Sequence, residues 1–288
     1  MYNTSFLLFE KKITILSKNK NILDLLNLEL IEKTNSQQAT NLHLEINYFD
    51  ENVFKSSFFN SYDIFNKEFY GINKKLMCPV FLTSDKKLYY SLKNFIYNSI
   101  ENYFNKIDDV CFLHATAIEK DGFVYIILGN KNSGKSSKSI KLCLDYGYKL
   151  ITDDVVPIKL LGNGNYYIEG IFKGFNMNNA TYKMLLSDND EYIDENDYGL
   201  KSRYFLNNTS RKTGIFKCLF VLDSENIEKT IFDNVLSDIS FKKEFINKFI
   251  NNNSDSIYKF NNEDTLTNNV KKINDIIIES YKKVNKNV

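Results

Sequence analysis

Residues 123–154 read FVYIILGNKNSGKSSKSIKLCLDYGYKLITDD, and the order of signals in that stretch decides the fold. An apolar, β-branched run from Phe123 to Leu128 reads as a buried strand. It ends at Gly129, and Gly129-Asn130-Lys131-Asn132-Ser133-Gly134-Lys135-Ser136 fits G-x-x-x-x-G-K-[ST] in full. A helical pattern follows, with Ile140, Cys143 and Leu144 on one face and Gly147 where a left-handed helix stop belongs. A second apolar run, Leu150–Ile151, then delivers two adjacent carboxylates, Asp153 and Asp154.

The loop has a specific physical meaning. Gly129 and Gly134 let the backbone curl so that several N–H groups converge where a polyphosphate can sit. The N-terminus of the next helix adds its unpaired donors and its positive dipole end. The residues expected to line such a cradle are Gly129, Asn130, Lys131, Asn132, Ser133, Gly134, Lys135, Ser136 and Ser137. Lys135 brings a point charge to the outer phosphates, and the Ser136 hydroxyl suits Mg²⁺. Asp153 or Asp154 can hold that ion through water or accept a proton from an attacking hydroxyl.

Composition narrows the class further. A chain of 288 residues suits one large domain or two small ones. With 23 Phe and 19 Tyr, a sizeable core is available without any Trp. The formal charge of +1 supplies no net field toward nucleic acid or an anionic membrane. Cys78, Cys111, Cys143 and Cys218 lie far apart, which suits reduced core thiols of a cytoplasmic protein and speaks against a zinc site. The apolar run Phe6–Phe9 is too short for a signal peptide or a membrane span.

Residues 1–110 read as a β-rich region. Phe6–Phe9 and Ile13–Leu16 flank a polar turn and can pair as a hairpin. Leu42, Leu44, Ile46 and Tyr48 alternate with polar residues, and His43 falls on the outer face of that strand. Val53–Phe59 and Val80–Leu82 are further strand candidates, and Leu92, Phe95, Ile96, Tyr103 and Ile107 mark an amphipathic helix near 91–107. His114 sits in the apolar stretch CFLHATA (residues 111–117), before the Asp121-Gly122 turn. A hairpin through that turn would bring it near the mouth of the loop, although spacing alone favours a core histidine satisfied by a backbone carbonyl.

The series His114-Ala-Thr-Ala, Asp121-Gly122, ILGNKNSGKSS, Tyr146-Gly147-Tyr148 and ITDDVVPI resembles the core of the HPr kinase/phosphorylase superfamily. The resemblance covers residues 111–160 and extends weakly to about 222. It is nearest to smaller HPr-kinase-like proteins, some of which phosphorylate a serine hydroxyl on ribosomal peptides. It implies a mixed α/β fold like that of phosphoenolpyruvate carboxykinase, with mixed sheets around the loop in place of the parallel sheet of a P-loop GTPase. It also implies an ATP- and Mg²⁺-dependent serine kinase. Lys135 would then be the phosphate ligand, Ser136 a Mg²⁺ ligand, Asp153 the general base and Asp154 its structural or metal partner. His114 would lie near the transferred group, and Glu169 would be a second metal ligand. The sequence departs from the family at Ser137, where an acidic residue is usual, and in the glycine-rich segment, echoed only by Ile168-Glu169-Gly170 and Lys173-Gly174-Phe175. Both departures speak against a reverse, phosphorolytic activity.

Val155–Leu161 and Tyr166–Ile168 flank a Gly-Asn turn and read as a hairpin. The acidic run at 187–197 lacks the glycine and terminal glutamate of an EF-hand, which leaves a solvated, mobile loop. Only two arginines occur among 37 basic residues, Arg203 and Arg211. A lysine-rich chain with arginine at two nearby positions suggests a planar fork used on phosphate or on the acceptor. After a strand at Ile215–Leu222, stripes at Phe245, Ile246, Phe249, Ile250 and at Leu266, Val270, Ile273, Ile277, Tyr281, Val284 mark helices. Those stripes serve the core or a homo-oligomer contact. The expected division is thus 1–110, a kinase-like core at 111–222, and a helical region at 223–288. The acceptor is left open between a peptide or small protein and a small metabolite, and a nucleotide-binding regulator without transfer activity also fits.

Overall fold

A computed structural model describes residues 2–17, 20–31, 33–34, 39–49, 75–81, 96–104, 107, 109–177, 185, 196–197, 202–204, 213–236, 239–262 and 265–284. Strands β1 (Tyr2–Leu8) and β2 (Lys11–Ser17) form the expected hairpin, with Phe6 opposite Ile13. An unanticipated helix, α1 (Lys20–Glu29), follows it. Leu23, Leu26 and Leu30 recur at intervals of three and four, the spacing that sets side chains on one helix face, and all three are buried. Strands β3 (Leu42–Phe49) and β4 (Lys75–Phe81) continue the sheet in the order β1-β2-β3-β4. The Val80 segment is therefore the end of a longer strand. The candidate strand at 53–59 lies outside the described residues, as do Leu92 and Phe95.

Residues 96–104 are helical, with Ile96, Ile100 and Phe104 buried on one face. On this helix, burial pushes the Glu101 carboxyl up from its ordinary 4.5 to about 7. A carboxyl whose folded value is raised favours folding below the unfolded value and loses that advantage as pH rises through the folded one. The melting temperature is therefore expected to decline between about pH 4.5 and 7, and Glu101→Gln should flatten the decline. Parallel melting curves for the two proteins across that window would remove Glu101 as the cause.

The main sheet begins with β5 (Val110–Leu113), β6 (Ala115–Lys120) and β7 (Phe123–Gly129). Helix α2 (Lys135–Tyr146) leads from the loop to β8 (Lys149–Thr152), and Gly147, at φ 71, ends it as expected. Strands β9 (Val156–Leu160) and β10 (Tyr166–Glu169) are the expected hairpin. A small sheet of β11 (Phe175–Met177), β12 (Asn196–Asp197) and β13 (Ser202–Tyr204) precedes β14 (Thr213–Leu222). Helices α3 (Ile227–Asp233) and α4 (Ile239–Asn252), strand β15 (Ile257–Phe260) and helix α5 (Leu266–Val284) complete the described chain. The main sheet runs β5-β9-β10-β14-β7-β6-β8, with β15 added to β14. β7 is parallel to β14 and antiparallel to β6, so the fold is mixed α/β.

The continuous apolar run of β7 has a direct physical cause. Val124, Ile126 and Leu128 enter one core, which α4 covers with Phe245, Ile246 and Phe249. Tyr125 and Ile127 alternate into a second core, covered by Ile140 and Leu142 of α2 and by Val270, Ile273 and Ile277 of α5. A strand covered on both faces needs apolar residues at every position. Within α2, Leu142 and not Leu144 joins Ile140 and Cys143 inside, because the buried arc also takes in Lys138 and Ser139 and is turned away from Leu144. β15 was not anticipated either. It lies between the two helical stripes and pairs in parallel with β14, so the C-terminal region also supplies a strand.

The N-terminal sheet packs on the main one through a third core in which Phe6, Leu26 and Phe104 join Phe112 and Phe172. Lys242 of α4 donates to the backbone oxygens of Phe104 (3.2 Å) and Ile107 (2.7 Å), satisfying carbonyls at the end of the 96–104 helix. Phe249 is fully buried, 4.9 Å from the Tyr166 ring and 5.0 Å from that of Phe216. Phe249→Ala is expected to cost roughly 3–5 kcal/mol, read as a lower denaturant midpoint at unchanged slope. A loss below about 1 kcal/mol would show that this face of the sheet is not close-packed. Among the described residues no helix is long and apolar enough to cross a membrane.

Candidate active site

The loop between β7 and α2 folds back over its own strand. A Cβ on Gly129 would lie 2.7 Å from Ser133 Oγ and 2.9 Å from Leu222 Cβ, so a side chain cannot be accommodated there. Asn132 and Gly134 adopt left-handed backbone angles, φ 68 and 83, which turn the chain into α2. Gly134 brings no capping side chain, and the positive end of the helix dipole therefore acts at the loop. Lys135 is folded onto the loop itself, donating from Nζ to the backbone oxygens of Gly129 (2.8 Å) and Asn130 (3.2 Å). Asn130, Lys131 and Asn132 are exposed, while Ser136 and Ser137 are half-buried.

β8 brings the carboxylates to this loop by pairing with β6, Thr152 opposite Ala117. Asp153 is 1% exposed, and its Oδ1 accepts from Ser136 Oγ (2.9 Å) and from Thr116 Oγ1 (2.7 Å). Thr116 was not singled out from the sequence, where its one signal is a hydroxyl inside the apolar run of β6. Asp154 is half-buried, with φ 72, a backbone conformation that Asp tolerates better than most residues. Its backbone oxygen accepts from His114 Nδ1 (2.9 Å), while the His114 N–H donates to Asn234 O (2.7 Å). His114 is thus satisfied by a carbonyl, as spacing alone suggests, and that carbonyl belongs to the second aspartate.

The remaining expected site residues fare differently. Glu169 is buried with Oε2 accepting from Phe9 N (2.7 Å), an interaction that ties β10 to the turn between β1 and β2. Arg203 falls on β13 opposite Asn176 and Asn196. Its side chain and the whole of Arg211 lie outside the described residues, as does the acidic run apart from 196–197. Among the described residues no three His, Cys, Asp or Glu side chains group as a metal site. Cys111, Cys143 and Cys218 are buried, and burial pushes the Cys143 and Cys218 thiols up, away from reactive thiolate.

A polar group on the other flank of the loop has no counterpart in the sequence motifs. Lys138 Nζ and Asn262 Nδ2 both donate to Ser133 O, each at 3.0 Å. Asn262 donates its backbone N–H to Asp223 Oδ1 (2.7 Å) and a second amide hydrogen to Asp223 Oδ2. Register explains the meeting, since Leu222 pairs with both Gly129 and Phe260. A separate cleft of about 280 Å³, lined by Lys120, Asp121, Tyr125, Tyr148 and Tyr281 among others, opens beside the Asp121-Gly122 turn at the other end of β7.

Fold and site together define a mixed α/β chain whose central strand runs into a G-x-x-x-x-G-K-S loop, with a buried aspartate bonded to the loop serine. No protein-family model matches the chain, and no curated protein matches it. Among solved structures, it is similar to the Hpr(Ser) kinase/phosphatase from Coxiella burnetii at 21% identity and a TM-score of 0.27. That similarity covers 40% of this chain and 66% of the Coxiella chain.

Proposed function

We propose that the chain is an ATP- and Mg²⁺-dependent kinase that transfers the γ-phosphoryl group to a serine-type hydroxyl of a peptide or small protein. The observation that carries the reading is the contact of Ser136 Oγ with Asp153 Oδ1 at 2.9 Å, beside a lysine folded onto its own loop. Phosphoryl transfer needs positioning and charge neutralisation more than covalent chemistry from the protein, and these groups supply both.

The donor set fits magnesium. A hydroxyl and a carboxylate are the hard oxygen ligands this ion takes, and it ordinarily completes its shell with phosphates and water. When bound, the ion would neutralise charge on the β- and γ-phosphates. Ser136 and Asp153 would hold it, which assigns Asp153 to the metal and not to proton transfer. Lys135 would exchange the Gly129 and Asn130 carbonyls for phosphate oxygens. Asp154 is then the carboxylate we assign as base: the acceptor O–H gives its proton to Asp154 as its oxygen bonds to the γ-phosphorus. The bond from that phosphorus to the β-phosphate oxygen breaks, and ADP leaves. His114 holds the Asp154 backbone through the carbonyl it bonds. The test is incubation of the purified chain with γ-labelled ATP and Mg²⁺ in lysate of the source organism. Phosphoserine in a peptide fraction is the expected product. Label in a small metabolite would move the acceptor class, and absence of any labelled acceptor would overturn the reading.

A further inference from the structure

We infer that Asn262, held by Asp223 and aided by Lys138, is a positioning residue that aims the Gly134 N–H at a bound phosphate. The inference rests on the nucleotide reading above and extends it to residues outside the loop motif. A loop that gathers N–H groups at one point must turn its carbonyls outward, and each outward carbonyl needs a donor. Across a trans peptide the C=O and the following N–H point to opposite sides. Whatever pulls Ser133 O outward therefore drives the Gly134 N–H inward.

Two donors hold that oxygen, Lys138 Nζ and Asn262 Nδ2, each at 3.0 Å. Both amide hydrogens of Asn262 are committed, one to Ser133 O and one to Asp223 Oδ2, so its nitrogen and not its oxygen faces the loop. Asp223 follows β14 directly, adopts φ 47 and donates its own N–H to Phe260 O (2.8 Å), which docks it beside β15. Asp223 and Asn262 thus come from two adjacent parallel strand ends and bond to each other there, with Asn262 reaching on to the loop. Lys138 is 3% exposed. Burial lowers its pKa and the Asp223 carboxylate opposes that, so Asp223 helps keep the ammonium charged. The ligand class this assembly serves is the polyphosphate chain itself, independent of the base attached to it.

Isothermal titration with Mg-ATP and with inorganic tripolyphosphate tests the inference on the full chain. Asn262→Ala is expected to weaken both ligands in parallel, by about ten- to hundredfold, the worth of one hydrogen bond to a charged group. The Gly134 amide signal in nitrogen–proton correlation spectra should shift strongly on adding tripolyphosphate to the wild type and weakly in the variant. Should Asn262→Ala not fold, Asp223→Asn replaces it, keeping an acceptor for the Asn262 N–H while removing the charge, with a smaller loss in the same direction. Unchanged affinity in these variants, with binding lost in Lys135→Ala, would overturn the inference and leave the nucleotide reading standing. Weaker ATP binding at unchanged tripolyphosphate affinity would also overturn it, making the pair a nucleoside contact. If the wild type binds neither ligand, the nucleotide reading fails and the inference falls with it.

Discussion

Asp154→Asn is expected to lower turnover by roughly 10²–10⁴, the usual worth of a general base, while ATP affinity holds within a few-fold. The adjacent substitution should behave differently. Asp153 is committed through one oxygen to Ser136 and Thr116 and is almost fully buried. Asp153→Asn keeps an acceptor for those hydroxyls but removes the negative charge, so the Mg²⁺ concentration needed for half-maximal ATP binding should rise. Steady-state kinetics across a Mg²⁺ series separates the two effects. If Asp153→Asn lowers turnover at unchanged Mg²⁺ dependence and Asp154→Asn does not, the roles are exchanged and Asp153 is the base. Equal behaviour of both at every Mg²⁺ concentration would remove the division of labour.

Lys135→Ala should reduce turnover by roughly 10²–10³, the scale seen when one charged or hydrogen-bonding stabiliser of a transition state is removed. The substitution has a structural side as well. Lys135 donates to Gly129 O and Asn130 O, so its removal leaves those carbonyls without that donor. A melting curve must therefore accompany the kinetics. A cost near 1 kcal/mol is the ordinary worth of a hydrogen bond and would leave the fold intact. Full activity with unchanged ATP affinity in Lys135→Ala would sink the assignment of this loop to the nucleotide.

Much of the local structure was legible in the chain because it depends on neighbours in sequence. The run Phe123–Leu128, the hairpin near 155–168 and the helix stop at Gly147 follow from residue type and period. Their hydrogen bonds or side-chain faces close over a few residues. The spacing of Gly129, Gly134, Lys135 and Ser136 likewise marks a loop without any tertiary information. Helix α1 and strand β15 escaped notice. β15 is four residues long, and its place is set by the parallel partner β14, from which thirty-four residues separate it.

Tertiary structure decided which side chains meet. Asp153 and Asp154 are chemically alike and adjacent in sequence. The pairing of β8 with β6 buries the first against Thr116 and Ser136, while His114 takes the backbone of the second. Glu169, grouped with the site in sequence, is drawn to Phe9 because the N-terminal hairpin packs beside β10. Asn262, held by Asp223, reaches Ser133 across separations that no periodicity records. Sequence determines strands, turns and the loop through short-range sterics and hydrogen bonding. Which carboxylate meets the serine depends on strand order and register, and those are settled only when the two sheet faces find their helices and the cores close.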